Sequence, residues 1–328
     1  MTLESLHKMA TADQIKSLIR SHLSDDDERF YTLALQVAAH EAQQGHTGLA
    51  HDIREIVDKS RKTRGTNTLL RFPRDLAGMV LSETSDIPLS ALVIPDVIRD
   101  RIQRIIHEHR QREKLKKHGL SNRRKILLSG PPGTGKTLTA RVLAHELRLP
   151  LHTIQVDKLV TKFMGETSAK LRQIFDLIRE QRGVYLFDEF DAIGGERSLE
   201  NDVGEMRRVL NALLQFIEQD VSESLIIGAT NNPLLLDRAL FRRFDDVLHY
   251  ELPDEVSRRH LIDNVLGCFK GRLGWKSIIE QSSDLSHSEI DHACRDAIKE
   301  AILEDKNKVD SKALIRTLVE RHQTHNRK

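Results

Sequence analysis

The chain has 328 residues, more than one typical domain, and its 30% charged and 4% aromatic residues favour a helix-rich protein with much solvated surface. The net charge of +2 produces no global field that would require nucleic acid as a partner. No apolar run reaches the roughly 20 residues of a membrane span, and the first residues lack the apolar core of a signal peptide. The only cysteines are Cys268 and Cys294, so we expect a cytoplasmic protein with reduced thiols and no membrane partner.

Residues 1–66 predict a small domain made only of helices. Apolar residues recur at helical spacing around Ile15–Ile19, over about Glu28–Gln44 and over about Leu49–Lys62. Gly45 is typical of the residue that ends a helix. Because the segment is short for an independent core, we expect it to pack on or bind something else.

Residues 67–118 predict a linker and a basic amphipathic helix that lead into the next domain. The polar stretch Arg61–Asn67 predicts the start of the linker, and prolines interrupt regular structure as far as Pro95. The helix is expected over about Asp96–Lys117, with apolar residues Val97, Ile98, Ile102, Ile105 and Ile106. Its cationic side chains fit either nucleic acid or a solvated outer face, and the second arrangement is the commoner one.

Residues 119–252 alternate between strand and helix patterns, and residues 253–328 predict helices alone. The apolar runs that predict strands are Ile126–Leu128, Leu151–Ile154, Val184–Phe187, Leu225–Ile227 and Val247–Tyr250. Helical segments separate these runs, which indicates an α/β fold with parallel strands joined by crossover helices. Turns in the helical part are expected near Gly271–Gly274, Ser282–Ser283 and Lys306.

A phosphate-binding loop follows the first of these strands and precedes a helix, as its mechanism requires. Its glycines let backbone N–H groups turn toward phosphates, and the helix N-terminus adds partial positive charge. We expect Lys136 to contact the β- and γ-phosphates of ATP and Thr137 to hold Mg²⁺. The predicted nucleotide-binding residues of the loop are Gly130, Pro131, Pro132, Gly133, Thr134, Gly135, Lys136, Thr137 and Leu138.

Two acidic residues end the third apolar run. The strand brings Asp188 to the edge of the sheet, where its carboxylate can bind nucleotide-associated Mg²⁺ through water. Glu189, one residue further, points in another direction and can polarise an attacking water. An exposed acidic turn is the alternative, but the neighbouring phosphate-binding loop favours the catalytic interpretation.

Two further motifs contain polar residues suited to phosphate chemistry. Asn231 ends the fourth strand, where its amide can hold a water near the γ-phosphate, although a turn residue is an equal interpretation. Arg242 and Arg243 can serve a phosphate in the same or a neighbouring subunit, or they can be a solvated helix end. These residues alone leave both alternatives open.

The segment from Leu225 to Asp245 resembles the second region of homology of the AAA (AAA+) family of P-loop ATPases. The likeness covers about residues 126–301 and includes the helical C-terminus. It also includes both Walker motifs, which are the phosphate-binding loop and the strand that ends in Asp188 and Glu189. It implies a five-stranded parallel sheet, a helical lid and assembly with copies of itself, usually into a hexamer. It further implies that Asn231 is the sensor 1 residue, and that Arg242 and Arg243 are arginine fingers.

The same resemblance gives a role to three residues between the Walker motifs. Phe163, Met164 and Gly165 match a loop that lines the central pore of the ring and grips a polypeptide substrate. Without the resemblance, an apolar pair before a glycine is more often part of a core or a helix cap.

One departure from the family pattern concerns the lid. His287 and Ser288 stand where the family usually has glycine and alanine, which puts the contact between lid and nucleotide in doubt. Either His287 touches the nucleotide, or it is a solvated residue at a helix start. The second interpretation is slightly favoured.

The segments Asp13–Lys16 and Asp27–Ala42 resemble the front of small bacterial AAA proteins. Some of these proteins are encoded beside a subtilisin-like serine protease, and some such pairs act in antiviral defence against phage. The chain has no serine-protease motif of its own, so any proteolysis belongs to a partner. The leading hypothesis is an ATP-driven, ring-forming protein unfoldase. The alternatives are a loader-type ATPase acting on nucleic acid and a nucleotide-switched scaffold.

Overall fold

The structure, a computed structural model, describes residues 16, 21, 27–43, 45–64, 76, 78–156, 158, 167–189, 200–232 and 241–325. The chain divides into two compact units, Met1–Leu70 and Arg71–Lys328. The finer domain boundaries expected at residues 66, 118 and 252 stay predictions.

The first unit contains a helical hairpin. Helices α1 (Asp27–Gln43) and α2 (Thr47–Arg64) pack through Tyr31, Ala34 and Val57, close to the predicted bounds. Gly45, with φ of 90°, supplies the left-handed turn between the helices. The linker predicted from Arg61 begins too early, because α2 continues to Arg64 through lysine and arginine, which are good helix formers. The segment of the first predicted helix lies almost wholly outside the described residues.

The second unit is built on a six-stranded sheet with strand order β1-β3-β4-β5-β2-β6. The strands are β1 (Val80–Glu83), β2 (Lys125–Ser129), β3 (Leu151–Gln155), β4 (Val184–Asp188), β5 (Leu225–Thr230) and β6 (Asp246–His249). The five predicted strands are present, and their pairs are all parallel. The sheet has one more strand than predicted, because β1 adds an antiparallel edge to β3.

Helices cover both faces of the sheet, which confirms the α/β prediction. They are α3 (Asp96–Arg110), α4 (Arg112–Lys117), α5 (Lys136–Leu147), α6 (Thr167–Glu180) and α7 (Glu200–Gln219). One apolar layer joins α6 and α7 to the sheet, and the other joins α3 and α5 to it. The basic helix predicted over residues 96–117 is broken at Gln111, and Val97 is 72% exposed rather than part of the apolar face.

The end of the chain forms a separate helical layer, called the lid below and defined as residues 253–325. It contains α8 (Glu255–Leu266), α9 (Trp275–Gln281), α10 (His287–Leu303) and α11 (Ser311–His325), with an apolar core of its own. Ser286 and Glu289 form a capping box that fixes the start of α10. Within the described part of the chain, no helix is long and apolar enough to cross a membrane.

Candidate functional site

The phosphate-binding loop joins the carboxyl end of β2 to the first turn of α5, as predicted. Gly130, Gly133 and Gly135 have φ values of 151°, 73° and 101°, a region that other residues rarely adopt. A Cβ atom on Gly130 would lie 2.1 Å from the carbonyl oxygen of Tyr250, so no other residue fits there. The loop therefore offers a tightly turned backbone at a helix N-terminus, an arrangement that binds phosphate.

Lys136 lies across this loop and is buried. Its Nζ donates hydrogen bonds to the carbonyl oxygens of Gly130 at 2.8 Å and of Pro131 at 2.7 Å. The hydroxyl of Thr134 donates to the same Pro131 oxygen at 2.8 Å. The ammonium group is thus held beside the backbone that would surround a triphosphate, where its charge can offset that of the phosphates.

Thr137 and Asp188 meet at the edge of the sheet, although they are distant in sequence. The Thr137 hydroxyl donates to Asp188 Oδ2 at 3.0 Å, and the backbone N–H of Glu189 donates to Asp188 Oδ1 at 3.0 Å. Hydroxyl and carboxylate oxygens are hard ligands of the kind Mg²⁺ prefers, so the pair fits this ion. Among the described residues, no group of three or more His, Cys, Asp or Glu side chains could hold a metal ion.

Glu189 is exposed and has a φ of 53°, a left-handed value that is unusual for this residue. The different direction of the Glu189 carboxylate, and its role in polarising water, stay predictions. Asn231 is also exposed and follows β5 directly. The Gly130 N–H donates to the carbonyl of Thr230 at 3.2 Å, so the end of β5 adjoins the phosphate-binding loop.

The two adjacent arginines have different surroundings. Arg243 forms an ion pair with Glu218 at the end of α7, whereas Arg242 is exposed. Phe244 is buried, and the Asp245 carboxylate accepts hydrogen bonds from the backbone N–H groups of Arg124 and Lys125, both at 2.9 Å. The loop that bears Arg242 is therefore fastened to the start of β2, the strand that ends in the phosphate-binding loop.

Two supporting residues had no sequence signal. Tyr250 lies against Gly130, and its hydroxyl shares a hydrogen bond of 2.7 Å with the Thr139 hydroxyl of α5. Burial raises the pKa of Tyr250, so its phenol stays neutral. Tyr250 and Thr139 together support the phosphate-binding loop from the side of β6. They are far apart in the sequence, so only the tertiary structure reveals their contact.

The lid touches the phosphate-binding loop at Gly133. The N–H of Ser288 donates to the Gly133 carbonyl at 3.0 Å, and a Cβ on Gly133 would lie 2.6 Å from Ser286 Oγ. His287 begins α10 as expected, but the slightly favoured prediction of a solvated side chain is wrong, because both ring nitrogens are buried. Burial lowers the pKa of His287.

The basic residues around α3 and α4 are largely paired with acidic side chains. Arg101 pairs with Asp246 of β6, and Arg123 pairs with Glu108. Further along, Arg110 binds Glu146 at 2.9 Å and Lys116 binds Glu223 at 2.5 Å. These pairs give the charges a role within the fold and weaken the main support for a nucleic acid partner.

Three predicted site residues, Phe163, Met164 and Gly165, lie outside the described residues. Their assignment to a pore loop therefore stays a prediction.

Comparison with known proteins agrees with the geometry. Residues 126–252 match the family described as "ATPase family associated with various cellular activities (AAA)". A protein of Sinorhizobium fredii, named an uncharacterized AAA family ATPase, is 32% identical over 94% of this chain and 95% of its own length. A proteasome-activating nucleotidase of Methanoregula boonei is 38% identical over 44% of this chain but only 35% of its own length.

A solved structure supports the fold assignment. The crystal structure of the FIGL-1 AAA domain superimposes with a TM-score of 0.60, and the match covers 79% of this chain and 91% of that one. The sequence identity is 21%, so this likeness concerns the fold alone.

Proposed function

Since the chain belongs to the AAA family of ATPases, we propose that it is an ATP-driven ring that unfolds or remodels polypeptides. ATP binding and hydrolysis are the activity of the family. The observation that carries the chemistry is the contact of 3.0 Å between Thr137 and Asp188, which joins the two halves of one nucleotide site.

The residues of the site divide the chemistry between them. When bound, Mg²⁺ would supply positive charge that offsets the negative charge of the phosphates. Thr137 and Asp188 hold this ion, and Lys136 neutralises phosphate charge from the side of the loop. Glu189 polarises the attacking water, and Asn231 orients it near the γ-phosphate.

Arg242 is the residue that completes a neighbouring subunit's site. It is exposed, whereas the guanidinium of Arg243 is engaged with Glu218 of its own chain. We assign Arg243 the role of positioning the loop. This division requires ATP to sit between subunits, and a closed ring, a hexamer in most of the family, satisfies that requirement.

The substrate proposal rests on Phe163 and on the relatives. An aromatic ring contacts an extended chain without matched hydrogen bonds, so Phe163 and Met164 can grip any sequence, with Gly165 giving the loop freedom. A relative whose name is proteasome-activating nucleotidase supports action on polypeptides. This chain spans about a third of that protein, so the proposal concerns the shared ATPase part.

A subtilisin-like protease partner and a role in antiviral defence extend this proposal. They are supported by the likeness of the N-terminal sequence to small bacterial AAA proteins, and the helical hairpin of the first unit is the candidate docking element. Co-purification of untagged partners from native cells tests this extension, and recovery of no serine protease would reject it.

One experiment tests polypeptide remodelling directly. An unfolded protein such as casein should raise ATP turnover by the wild-type chain, because a gripped polypeptide couples to hydrolysis. Phe163→Ala should keep basal turnover and lose that stimulation, since the chemistry lies elsewhere. Full stimulation in the variant would favour the scaffold alternative, and loss of ATP binding would make Phe163 a core residue.

A further inference from the structure

Two buried hydroxyl groups meet beside the phosphate-binding loop. Thr139, in the first turn of α5, is 0% exposed, and Tyr250, which directly follows β6, is 4% exposed. Their hydroxyl oxygens lie 2.7 Å apart, although the two residues are 111 positions apart in the sequence. Tyr250 belongs to the apolar layer that joins α3 and α5 to the sheet, so water does not compete for this contact.

The direction of each hydrogen bond follows from the number of protons. The Thr139 hydroxyl has one proton, and it donates this proton to the carbonyl oxygen of Gly135 at 3.0 Å. Tyr250 must therefore be the donor to Thr139. Burial raises the pKa of Tyr250, so the phenol keeps the proton that this bond requires. Two consecutive hydrogen bonds thus lead from the phenol, through the threonine hydroxyl, to a carbonyl of the phosphate-binding loop.

That carbonyl belongs to the last glycine of the loop. Gly135 has a φ of 101° and stands immediately before α5, and its carbonyl also accepts the backbone N–H of Thr139 at 2.8 Å. Because a trans peptide unit is planar, a carbonyl directed into the helix turns the N–H of Lys136 the opposite way. N–H groups at the start of a helix are the groups that bind phosphate. Fixing the Gly135 carbonyl therefore fixes the direction of a phosphate donor.

We propose that Tyr250, acting through Thr139, is a positioning residue that holds the phosphate-binding loop in the geometry that binds the phosphates of ATP. The inference rests on the proposed ATP site and adds to it two residues outside the pattern of the loop. A contact to phosphate is made before and during the reaction alike. The effect of the pair should therefore fall on KM and not on kcat.

The test separates nucleotide affinity from stability. Affinity for ADP with Mg²⁺ is measured by calorimetry on the full chain, and KM and kcat for ATP are measured from phosphate release. Tyr250→Phe and Thr139→Val should each weaken ADP binding and raise KM about fivefold, the value of one hydrogen bond, with little change in kcat. Thr139→Ser keeps the hydroxyl and should retain the wild-type affinity.

Tyr185→Phe is the matched control. Tyr185 is also buried, and its hydroxyl donates to the Gln181 carbonyl at 2.8 Å. It lies near the amino end of β4, whereas the phosphate-binding loop follows the carboxyl end of β2. Tyr185→Phe should lower the melting temperature much as Tyr250→Phe does, but it should leave the affinity for ADP unchanged.

The double variant Tyr250→Phe/Thr139→Val should bind ADP as Thr139→Val does, because both changes break the same connection. Fully additive losses would overturn the inference, as would an unchanged affinity in Tyr250→Phe. Equal losses in Tyr185→Phe and Tyr250→Phe would overturn it too, because any loosening of the fold would then weaken binding. A wild-type chain that binds no nucleotide would overturn the ATP site as well, whereas failure of the polypeptide-remodelling proposal leaves all these affinities unchanged.

Discussion

Glu189 combines an exposed carboxylate with a left-handed backbone. This conformation costs roughly 1–2 kcal/mol for a residue with a side chain, and such strain clusters at functional sites. The N–H of Glu189 is meanwhile held by Asp188 Oδ1. We therefore expect this turn to point two consecutive carboxylates in different directions, so that one can bind the ion while the other faces water.

Glu189→Gln should retain ATP binding and lose hydrolysis by about 10²-fold or more, because only water activation is removed. Lys136→Ala should abolish binding instead, since it removes the buried ammonium group. Binding of a fluorescent ATP analogue and release of phosphate are measured on both variants. Normal turnover by the Glu189→Gln protein would show that another group is the base.

At the level of elements, the sequence predicts the strands and loops whose pattern can be recognised from neighbouring residues alone. The five parallel strands are apolar runs between turns, and the phosphate-binding loop has a fixed pattern of glycines. β1 was missed because only Val80 of its four residues is buried, so its sequence shows no alternation. The burial of His287 was missed for a different reason: Val93 and Gly133 are far from it along the chain, and no spacing rule connects them.

Two buried histidines, one near the end of α3 and one in β3, make the fold sensitive to acid. His109 ends α3 beside Arg182, with 2.8 Å between the ring Nε2 and the guanidinium, and His152 of β3 shares a hydrogen bond of 2.7 Å with Ser82 of β1. Burial, aided by Arg182, lowers the pKa of His109 to about 4, and burial lowers that of His152 to about 4. Both folded pKa values lie below the ordinary value of 6.5.

The free energy of unfolding should therefore be at its full value above pH 6.5 and fall as the pH drops towards 4, because only the unfolded chain binds these protons. For both histidines the loss between pH 7.5 and 5.5 is roughly 2–3 kcal/mol. Urea unfolding at several pH values measures it. His109→Gln, which keeps an acceptor for Arg182, should remove about half of the loss, whereas the exposed His107→Ala should remove none; an unchanged slope in His109→Gln would contradict the assignment.

On the scale of the whole molecule, the loop of residues 241–245 connects the exposed Arg242 to elements that contact the chain's own phosphate-binding loop. Asp245 fastens it to the start of β2, and Arg243 fastens it to α7. β6 then leads to Tyr250, which lies against Gly130. In the proposed ring, a neighbouring subunit that contacts Arg242 would therefore be linked through packed residues to the phosphate-binding loop.

The two arginines should respond differently to substitution. Arg242→Ala should lower ATP turnover by about 10³-fold or more without a change in thermal stability, because a transferred arginine acts only on the transition state. Arg243→Ala should lower both turnover and stability, since it also frees Glu218 and loosens the loop. ATP turnover and the melting temperature are measured for each variant. If Arg242→Ala lowered stability and Arg243→Ala did not, the roles of the two arginines would be exchanged.

If Arg242 acts in trans, two inactive proteins should complement each other. Arg242→Ala keeps an intact phosphate-binding loop and Glu189, whereas Glu189→Gln keeps an intact Arg242. In a mixed ring, a site of the first variant can receive Arg242 from a neighbour of the second, so turnover should appear on mixing and fall again on dilution.

Mixing Arg242→Ala with the double variant Arg242→Ala/Glu189→Gln is the matched control, and it should stay inactive because no subunit supplies the arginine. A mixture that remains inactive despite shared rings, or a fully active monomer of the wild-type chain in light scattering with ATP, would show that the arginine serves its own subunit.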